Sequence, residues 1–164
     1  MTDNSNKRWS IIQDILTREG IARQHLNSFD EFLENGLQAI INETSIIEIE
    51  NAEYPYKIQL GKIKLKEPRI MELDGSITRI NPAEARLRNV SYVAPFYIEA
   101  SVIEDGKILE TKPIHVGDIP VMVKSTGCLL RNFTEQKLIE QGEDSNDPGG
   151  YFIINGSERV IVGL

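Results

Sequence analysis

The stretch that decides the fold is YVAPFYIEASVIEDGKILETKPIHV, residues 92–116, in which two apolar runs flank an Asp-Gly pair. Asp105-Gly106 is typical of a tight β-hairpin turn, because both residues tolerate the positive φ angles that such a turn needs. The pattern predicts one strand from Tyr92 to Ile103 and a second from Lys107 to Val116. Pro95 cannot donate a ladder hydrogen bond, which predicts an edge position or a bend there.

Before this hairpin, too, apolar residues recur at alternate positions, which predicts β-strands. Residues 46–49 predict a short strand, and a longer one follows the break at residues 54–56. In the longer strand apolar residues alternate with polar ones. The alternation slips by one residue at Gly61, which predicts a β-bulge, and Pro68 ends the run.

Helices are predicted before these strands. Residues 9–19 place apolar side chains at helical spacing, and Gly20 ends that pattern. Ser28 and Glu31 form a capping-box pair, which predicts that a second helix begins there. Its apolar stripe runs from Phe29 to Ile41 at spacings of three and four residues.

Turn and cap signals organise the remaining sequence. Asp74-Gly75 predicts a turn, and Asn81-Pro82 predicts the start of a short helix, with Glu84 as a capping carboxylate. Thr134 is a plausible N-cap for a helix that Gly142 ends, with Phe133 and Leu138 placed as a hydrophobic staple across the cap, and residues 143–150 are predicted to form a loop. Asn155-Gly156 predicts a hairpin with a type I′ turn between residues 151–154 and 159–162. The fold class is therefore α+β, with N-terminal helices followed by a mostly antiparallel sheet.

Composition describes an ordinary globular chain with an acidic balance. The 164 residues are 40% hydrophobic and 26% charged, which fits one domain or at most two small ones. The net charge of −7 argues against independent binding to nucleic acid, since phosphate neutralisation dominates that affinity. Residues 57–88 nevertheless hold eight basic and four acidic side chains, a balance of +4 against −11 elsewhere. This strip is either a solvated strand face or a surface that meets phosphate or a partner.

Local motifs predict neither an active site nor a metal site. Cys128 has no second cysteine to pair with, and we expect a small buried hydrophobe rather than a nucleophile. His25 and His115 are expected to be surface or satisfied core residues, because structural zinc needs four close ligands. The acidic loop 143–150 lacks the ligand spacing of an EF-hand. There is also no apolar run of the ~20 residues that a membrane span needs and no secretory signal, so we expect an intracellular protein without a membrane partner.

Several runs of sequence resemble one known family. The most specific is DPGGYFIINGSERVI at 147–161, and GDIPVMVKS at 117–125 precedes it. The runs ARQHLNSFDEF at 22–32 and AEARLRN at 83–89 agree with it. Together they resemble the second-largest, beta-type subunit of multisubunit DNA-directed RNA polymerases, in the archaeal and eukaryotic branch, from about Gly20 onward.

The resemblance implies a place within that enzyme. In the family, this part of the subunit forms most of the protrusion, an α+β domain on one wall of the DNA cleft. We expect a tail and helix over residues 1–20 and a protrusion-like domain over 21–164, truncated at its C-terminal end because the family's chain continues. The family's nucleotidyl transfer uses magnesium bound by another subunit, the largest. This chain is therefore expected to hold no cofactor, no metal and no catalytic residue, and to be inactive alone.

The resemblance also implies nucleic-acid contacts. In the family the Asn-Gly hairpin approaches the RNA–DNA hybrid, so Arg159 becomes a candidate hybrid-facing cation and Glu158 its orienting partner; a surface ion pair within the hairpin is the other interpretation. The basic strip adds further candidate nucleic-acid-binding residues: Lys62, Lys64, Lys66, Arg86 and Arg88.

Partners and location follow from the same resemblance. The expected partners are the other polymerase subunits, especially the largest, the DNA template and RNA–DNA hybrid, and general initiation factors. The expected location is the cytoplasm, beside the nucleoid, for an archaeal protein and the nucleus for a eukaryotic one. The alternative function is a stand-alone interaction module that docks polymerase subunits or initiation factors.

Overall fold

The computed structural model describes residues 8–14, 20–49 and 56–162, and it has the expected α+β class. Among these residues a four-stranded antiparallel sheet has the spatial order β1-β2-β5-β6, and two small hairpins pair β3 with β4 and β7 with β8. The strands are β1 (Ile46–Ile49), β2 (Tyr56–Leu65), β3 (Arg69–Met71), β4 (Ile77–Arg79), β5 (Val93–Glu104), β6 (Lys107–Pro120), β7 (Phe152–Ile154) and β8 (Ser157–Arg159). The helices are α1 (residues 8–14), α2 (Arg23–Glu31), α3 (Leu37–Glu43), α4 (Pro82–Leu87) and α5 (Glu135–Glu140), and a π-helical turn, Phe32–Gly36, joins α2 to α3.

The bulge predicted in β2 is confirmed. The pairing of β2 with β5 shifts register between Leu60 and Ile63, on either side of Gly61. Because the bulge absorbs one extra residue, the lysines after it stay on the same face of the sheet as the polar residues before it. The Gln38 side chain of α3 satisfies the two backbone groups at the bulge, donating to the Gly61 carbonyl (3.2 Å) and accepting from the Ile63 amide (3.1 Å).

The predicted start of the second helix is wrong. Helix α2 begins at Arg23, so Ser28 lies inside it and caps nothing. The residue before it, Ala22, is 5% exposed and packs so closely on Gly150 that a Cβ there would lie 2.7 Å from the Ala22 methyl carbon. Tertiary packing therefore overrides the local capping signal. The first helix is observed over residues 8–14, and residues 15–19 lie outside the described residues.

The hydrophobic core lies at one end of the sheet, where β5 begins and β6 ends. Tyr92, Val121 and Ile153 are fully buried there. The Tyr92 amide donates to the Ile153 carbonyl (2.9 Å) and its own carbonyl accepts from Val121 (3.0 Å), which ties three distant segments together. The complete buried cluster is Ile80, Ala85, Tyr92, Ala94, Val121, Val123, Cys128, Leu130, Leu138 and Ile153.

The two short helices begin where the sequence predicts. Thr134 accepts from the Lys137 amide (3.4 Å) as the N-cap of α5, and Leu138 is buried with Phe133 packed beside the core. Asn81 is the N-cap of α4, but its side chain makes no cap hydrogen bond. The carboxylate of Glu143 accepts from the Ala83 amide at 2.6 Å in place of the Asn81 side chain. Glu84 accepts from Arg88 at 2.9 Å, so its expected capping role is wrong.

Both predicted hairpin turns are confirmed, with adjustments to the strands. Asp105-Gly106 joins β5 to β6, and Asn155-Gly156 joins β7 to β8 with positive φ at both residues, as a type I′ turn requires. The second strand of the latter hairpin ends at Arg159 rather than 162. β5 lies between β2 and β6, so Pro95 is not on an edge strand; a register shift follows one residue later, between Phe96 and Tyr97.

Candidate nucleic-acid interface

Three of the predicted residues form a row along β2. Lys62 and Lys64 are exposed on the face of the sheet opposite the buried side chains, and Lys66 follows the strand. Lys64 lies directly across from Tyr97 of β5. None of the three lysines makes an ion pair with any of the described residues, so their charges are available to a ligand.

An arginine lies beside this row. Arg69 donates to the Tyr97 hydroxyl at 2.8 Å, and the Tyr97 ring contacts the His115 ring at a centroid distance of 5.1 Å. His115 is exposed, as expected for a surface residue, and lies 3.2 Å from the Asp118 carboxylate. Arg69 is therefore held by the Tyr97 hydroxyl and makes no ion pair with a carboxylate of the described residues.

Arg86 occupies a different kind of environment. Its guanidinium lies 3.0 Å from the Glu143 carboxylate and 2.8 Å from that of Glu158, and it donates to the Tyr151 hydroxyl at 2.6 Å. The Glu143 side chain is 3% exposed and that of Arg86 25%. Burial disfavours the charged guanidinium, but the hydrogen bond that Arg86 donates to Glu143 and the negative charge of that carboxylate outweigh it, and the pKa of Arg86 is raised. Arg86 therefore joins α4, the acidic loop and β8.

Tyr151 completes this cluster from the other side. Its hydroxyl donates to Asp147, and its ring lies 5.8 Å from the Arg86 guanidinium carbon. Burial raises the pKa of Tyr151, and the hydrogen bond to Asp147 raises it further. The phenol is therefore a neutral hydrogen-bond donor at physiological pH.

Arg88 is also occupied by carboxylates. It lies 2.7 Å from Glu72 and 2.9 Å from Glu84, and Thr78 donates a further hydrogen bond to Glu72. The hydrogen bond from Arg88, with that from Thr78, lowers the pKa of Glu72 to about 2. This pair connects the end of α4 to the β3–β4 hairpin.

The Asn-Gly hairpin is held tightly in place, and its last strand residue is not. The Gly156 amide donates to the Val90 carbonyl (3.0 Å), and the Asn155 amide donates to the Ser91 hydroxyl (3.0 Å). Glu158 binds Arg86 rather than its neighbour Arg159, so the expected pair within the hairpin is not formed. Arg159 is exposed and makes no ion pair with the described residues.

The predicted site residues thus lie in three places. Lys62, Lys64 and Lys66 form an open row, Arg86 and Arg88 are bound by carboxylates, and Arg159 projects from the hairpin with Glu158 turned to Arg86. Sequence reasoning missed Glu143 and Tyr151, which lie 57 and 65 residues from Arg86. The one sequence signal for the contact between Arg86 and Glu143 was the opposite net charge of the basic strip and the acidic loop.

Cys128 is a buried hydrophobe, as expected. It is 6% exposed, and the Tyr92 hydroxyl lies 3.5 Å from its sulfur. Burial raises the pKa of the Cys128 thiol, which keeps it protonated and unreactive. Over the described ranges, no group of three or more His, Cys, Asp or Glu side chains is placed to hold a metal ion, and no helix is long and apolar enough to cross a membrane.

Comparison with known proteins decides the family. A family model described as RNA polymerase beta subunit matches residues 20–164, which is most of the chain. The chain belongs to the RNA polymerase beta subunit family. It corresponds to the N-terminal region of the second-largest subunit, and the relatives named below are archaeal.

Individual relatives agree with this assignment. DNA-directed RNA polymerase subunit Rpo2 of Saccharolobus shibatae is 44% identical over 158 residues, which cover 96% of this chain and 14% of the relative. Subunit Rpo2N of Halobacterium salinarum is 41% identical over 159 residues (92% of this chain and 30% of the relative). Rpo2N of Methanocaldococcus jannaschii is 42% identical over 156 residues (93% and 31%). The chain thus spans between about a seventh and a third of the length of these relatives.

Proposed function

We propose that this chain forms part of the wall of the DNA cleft in a DNA-directed RNA polymerase, where the β7–β8 hairpin presents Arg159 to the RNA–DNA hybrid. The observation that carries this proposal is the contrast between Arg159 and its neighbours. Glu158 and the turn residues Asn155 and Gly156 are all bound to the rest of the domain, whereas Arg159 is exposed and unpaired among the described residues.

This arrangement suits a cation that meets nucleic acid. The hydrogen bonds at Asn155 and Gly156 fix the backbone of the hairpin turn, and the exposed Arg159 side chain extends from this fixed support. A guanidinium without an internal carboxylate keeps its full charge for the phosphate backbone, which binds mainly through charge neutralisation. Arg86 and Arg88, which the sequence also nominates, instead support the position of the hairpin and of α4.

The wider role follows the same proposal. The chain contributes structure to template-directed RNA synthesis and does not catalyse alone; the catalytic magnesium belongs to another subunit. Its partners are the largest subunit, the other polymerase subunits, the DNA template with its RNA hybrid, and general initiation factors. Since its relatives are archaeal, we place it in the cytoplasm beside the nucleoid.

The test is the Arg159→Ala substitution in a complete second-largest subunit assembled into polymerase. Loss of one phosphate contact should reduce the dependence of log stability on log salt by about 0.9, so the elongation complex should dissociate faster at low salt and the difference should shrink as salt rises. Lys112→Ala is the matched control, because Lys112 is exposed on β6 and already bound to Glu110 at 2.6 Å. Dissociation rates that stay equal across the salt titration would remove Arg159 from the interface.

An assembly experiment distinguishes the cleft-wall role from the alternative, a stand-alone interaction module. Co-purification with the largest subunit, followed by primer extension, tests whether the chain works inside the enzyme. The cleft-wall proposal expects extension only when the complete subunit is present. A module would bind polymerase without restoring extension to an enzyme that lacks this region.

A further inference from the structure

The ion pairs of the folded chain divide the cations of the basic strip, residues 57–88, into those bound to a carboxylate and those that are not. Four of its eight cations are bound to carboxylates: Lys57 to Glu48, Arg79 to Glu67, Arg86 to Glu143 and Glu158, and Arg88 to Glu72 and Glu84. The other four, Lys62, Lys64, Lys66 and Arg69, have no acidic partner among the described residues. The cations of the strip without a described carboxylate partner therefore lie together at the C-terminal end of β2 and just beyond it.

These four cations form a continuous track. Lys62 and Lys64 point to the same face of β2, and since alternate residues of a strand lie ~7 Å apart, each step suits one ligand charge. Lys66 extends the row, because its amide still pairs with the Pro95 carbonyl (3.0 Å). From there the surface leads into a groove of about 320 Å³ between the end of β2 and the β3–β4 hairpin. The groove is lined by Lys66, Glu67, Arg69, Ile77, Thr78 and Arg79, and Glu67 is bound to Arg79.

Arg69 is fixed in this track by a contact that preserves its charge. The Tyr97 hydroxyl accepts its hydrogen bond, and Tyr97 stands across the sheet from Lys64. A guanidinium oriented by a neutral group keeps further donors for a phosphate, whose geometry its planar fork matches. The same face carries three acidic side chains among the described residues: Glu48, which is bound to Lys57, Glu99, and Asp118, which lies 3.2 Å from His115. The balance on the β2 side of the face is positive.

We propose that this track, defined by Lys62, Lys64, Lys66 and Arg69, binds the phosphate backbone of duplex DNA in the assembled polymerase. The inference rests on the proposed function and adds a second surface to it, separate from the hairpin that carries Arg159. Duplex is favoured over single-stranded nucleic acid because no described residue beside the track offers a free aromatic ring for base stacking. The ring of Tyr97 lies against His115 and its hydroxyl against Arg69.

The first test removes the charges in a complete subunit within reconstituted polymerase. The triple variant Lys62→Ala, Lys64→Ala and Lys66→Ala should lower the slope of log affinity for duplex DNA against log salt by about 2 to 3, since each phosphate contact contributes about 0.9. Arg69→Ala should lower it by about 1 more. The matched control removes three lysines with internal partners: Lys57 and Lys112, each bound to a glutamate, and Lys137, which lies over the Phe133 ring.

A second test locates the ligand directly. A photoreactive cross-linker attached through Lys64→Cys, in a complete subunit whose native cysteines have been replaced where they react, should label duplex DNA. Labelling confined to single-stranded DNA or to the hybrid, or no labelling of nucleic acid, would overturn the inference.

Failure of the track and failure of the proposed function give different results. If the triple variant assembles, extends a primer and keeps the full salt slope, the lysine track is wrong while the cleft-wall role stands. If the unaltered subunit does not assemble with the largest subunit or support primer extension, the proposed function itself fails. A triple variant that assembles and extends normally at low salt but loses the slope supports both.

Discussion

Two hairpins of this molecule have the same turn and opposite surroundings. Asp105-Gly106 has φ angles of 47° and 76°, and Asn155-Gly156 has 49° and 75°. A Cβ added to Gly106 would meet nothing within 4 Å. One added to Gly156 would lie 2.8 Å from the Cα of Asn89 and 3.1 Å from the carbonyl oxygen of Arg86.

The difference teaches that turn chemistry and docking have separate causes. The turn type follows from two adjacent residues, so the sequence predicts both hairpins equally well. The docking of β7–β8 depends on residues about 65 positions away, such as Ser91, which bonds the Asn155 amide. The β5–β6 hairpin projects into solvent, with Ile108 62% and Leu109 56% exposed. The β7–β8 hairpin therefore packs against the hydrophobic core, whereas the β5–β6 hairpin remains exposed to solvent.

Alanine at the two glycines should separate these effects most strongly. Gly106→Ala should cost about 1–2 kcal/mol, the strain of a left-handed alanine alone. Gly156→Ala adds overlap with backbone atoms that cannot rotate away, and we expect a total of roughly 2–5 kcal/mol. Urea denaturation of the two variants measures the difference in free energy of unfolding. Equal losses would show that the packing around Gly156 contributes nothing to stability.

Arg86→Ala should give the next largest effect. It leaves the buried Glu143 carboxylate without its cation, and we expect a loss of roughly 2–3 kcal/mol, somewhat less than for a fully buried pair because Arg86 is partly exposed. Arg79→Ala is the matched control, since its pair with Glu67 is 72% and 55% exposed and should contribute less than about 1 kcal/mol. Amide hydrogen exchange should show faster exchange in β7 and β8 for the first variant only. If Arg79→Ala costs as much, the burial of Glu143 is not what makes the Arg86 cluster important.

The smallest expected effect is the pH dependence of the β3–β4 hairpin, which is attached to α4 through the Arg88–Glu72 ion pair. The pKa of Glu72 is lowered to about 2 from 4.5, so the folded state favours the ionised carboxylate. The stabilisation is therefore complete above pH 4.5 and is lost as the pH falls towards 2. NMR titration of the Glu72 carboxyl carbon checks this, with Glu72→Gln as the control that removes the titration. A midpoint near 4.5 would mean that the contact with Arg88 does not persist in solution.

Much of the fold was predictable from local patterns. The bulge at Gly61, the long hairpin at Asp105-Gly106 and the cap at Thr134 are each dictated by neighbouring residues, and the structure has all three. The start of α4 after Asn81 was also predictable, although the distant Glu143 supplies its side-chain cap. The start of α2 was not predictable, because the close approach of Ala22 to Gly150 decides it across 128 positions of sequence. Local rules fail where a distant contact has the larger energy.

The candidate site was less predictable than the fold. Composition located the basic strip, but it could not show which of its charges are neutralised. Arg86 and Lys64 are both cations of the basic strip and cannot be told apart by its charge alone. In the structure Arg86 is surrounded by carboxylates, whereas Lys64 is exposed to solvent. Only the three-dimensional positions of Glu143, Glu72 and Glu158 separate the two classes.

The bulge at Gly61 has a consequence for how the helices find their position. A regular strand presents a uniform surface along its length, on which a helix could slide by two residues without losing a hydrogen bond. The extra residue creates one place where a carbonyl and an amide turn out of the ladder, and Gln38 bonds both. The bulge therefore fixes the position of α3 along β2, because only there can Gln38 make both hydrogen bonds. A chain from which Gly61 is deleted should keep its alternation of apolar and charged residues and lose this alignment.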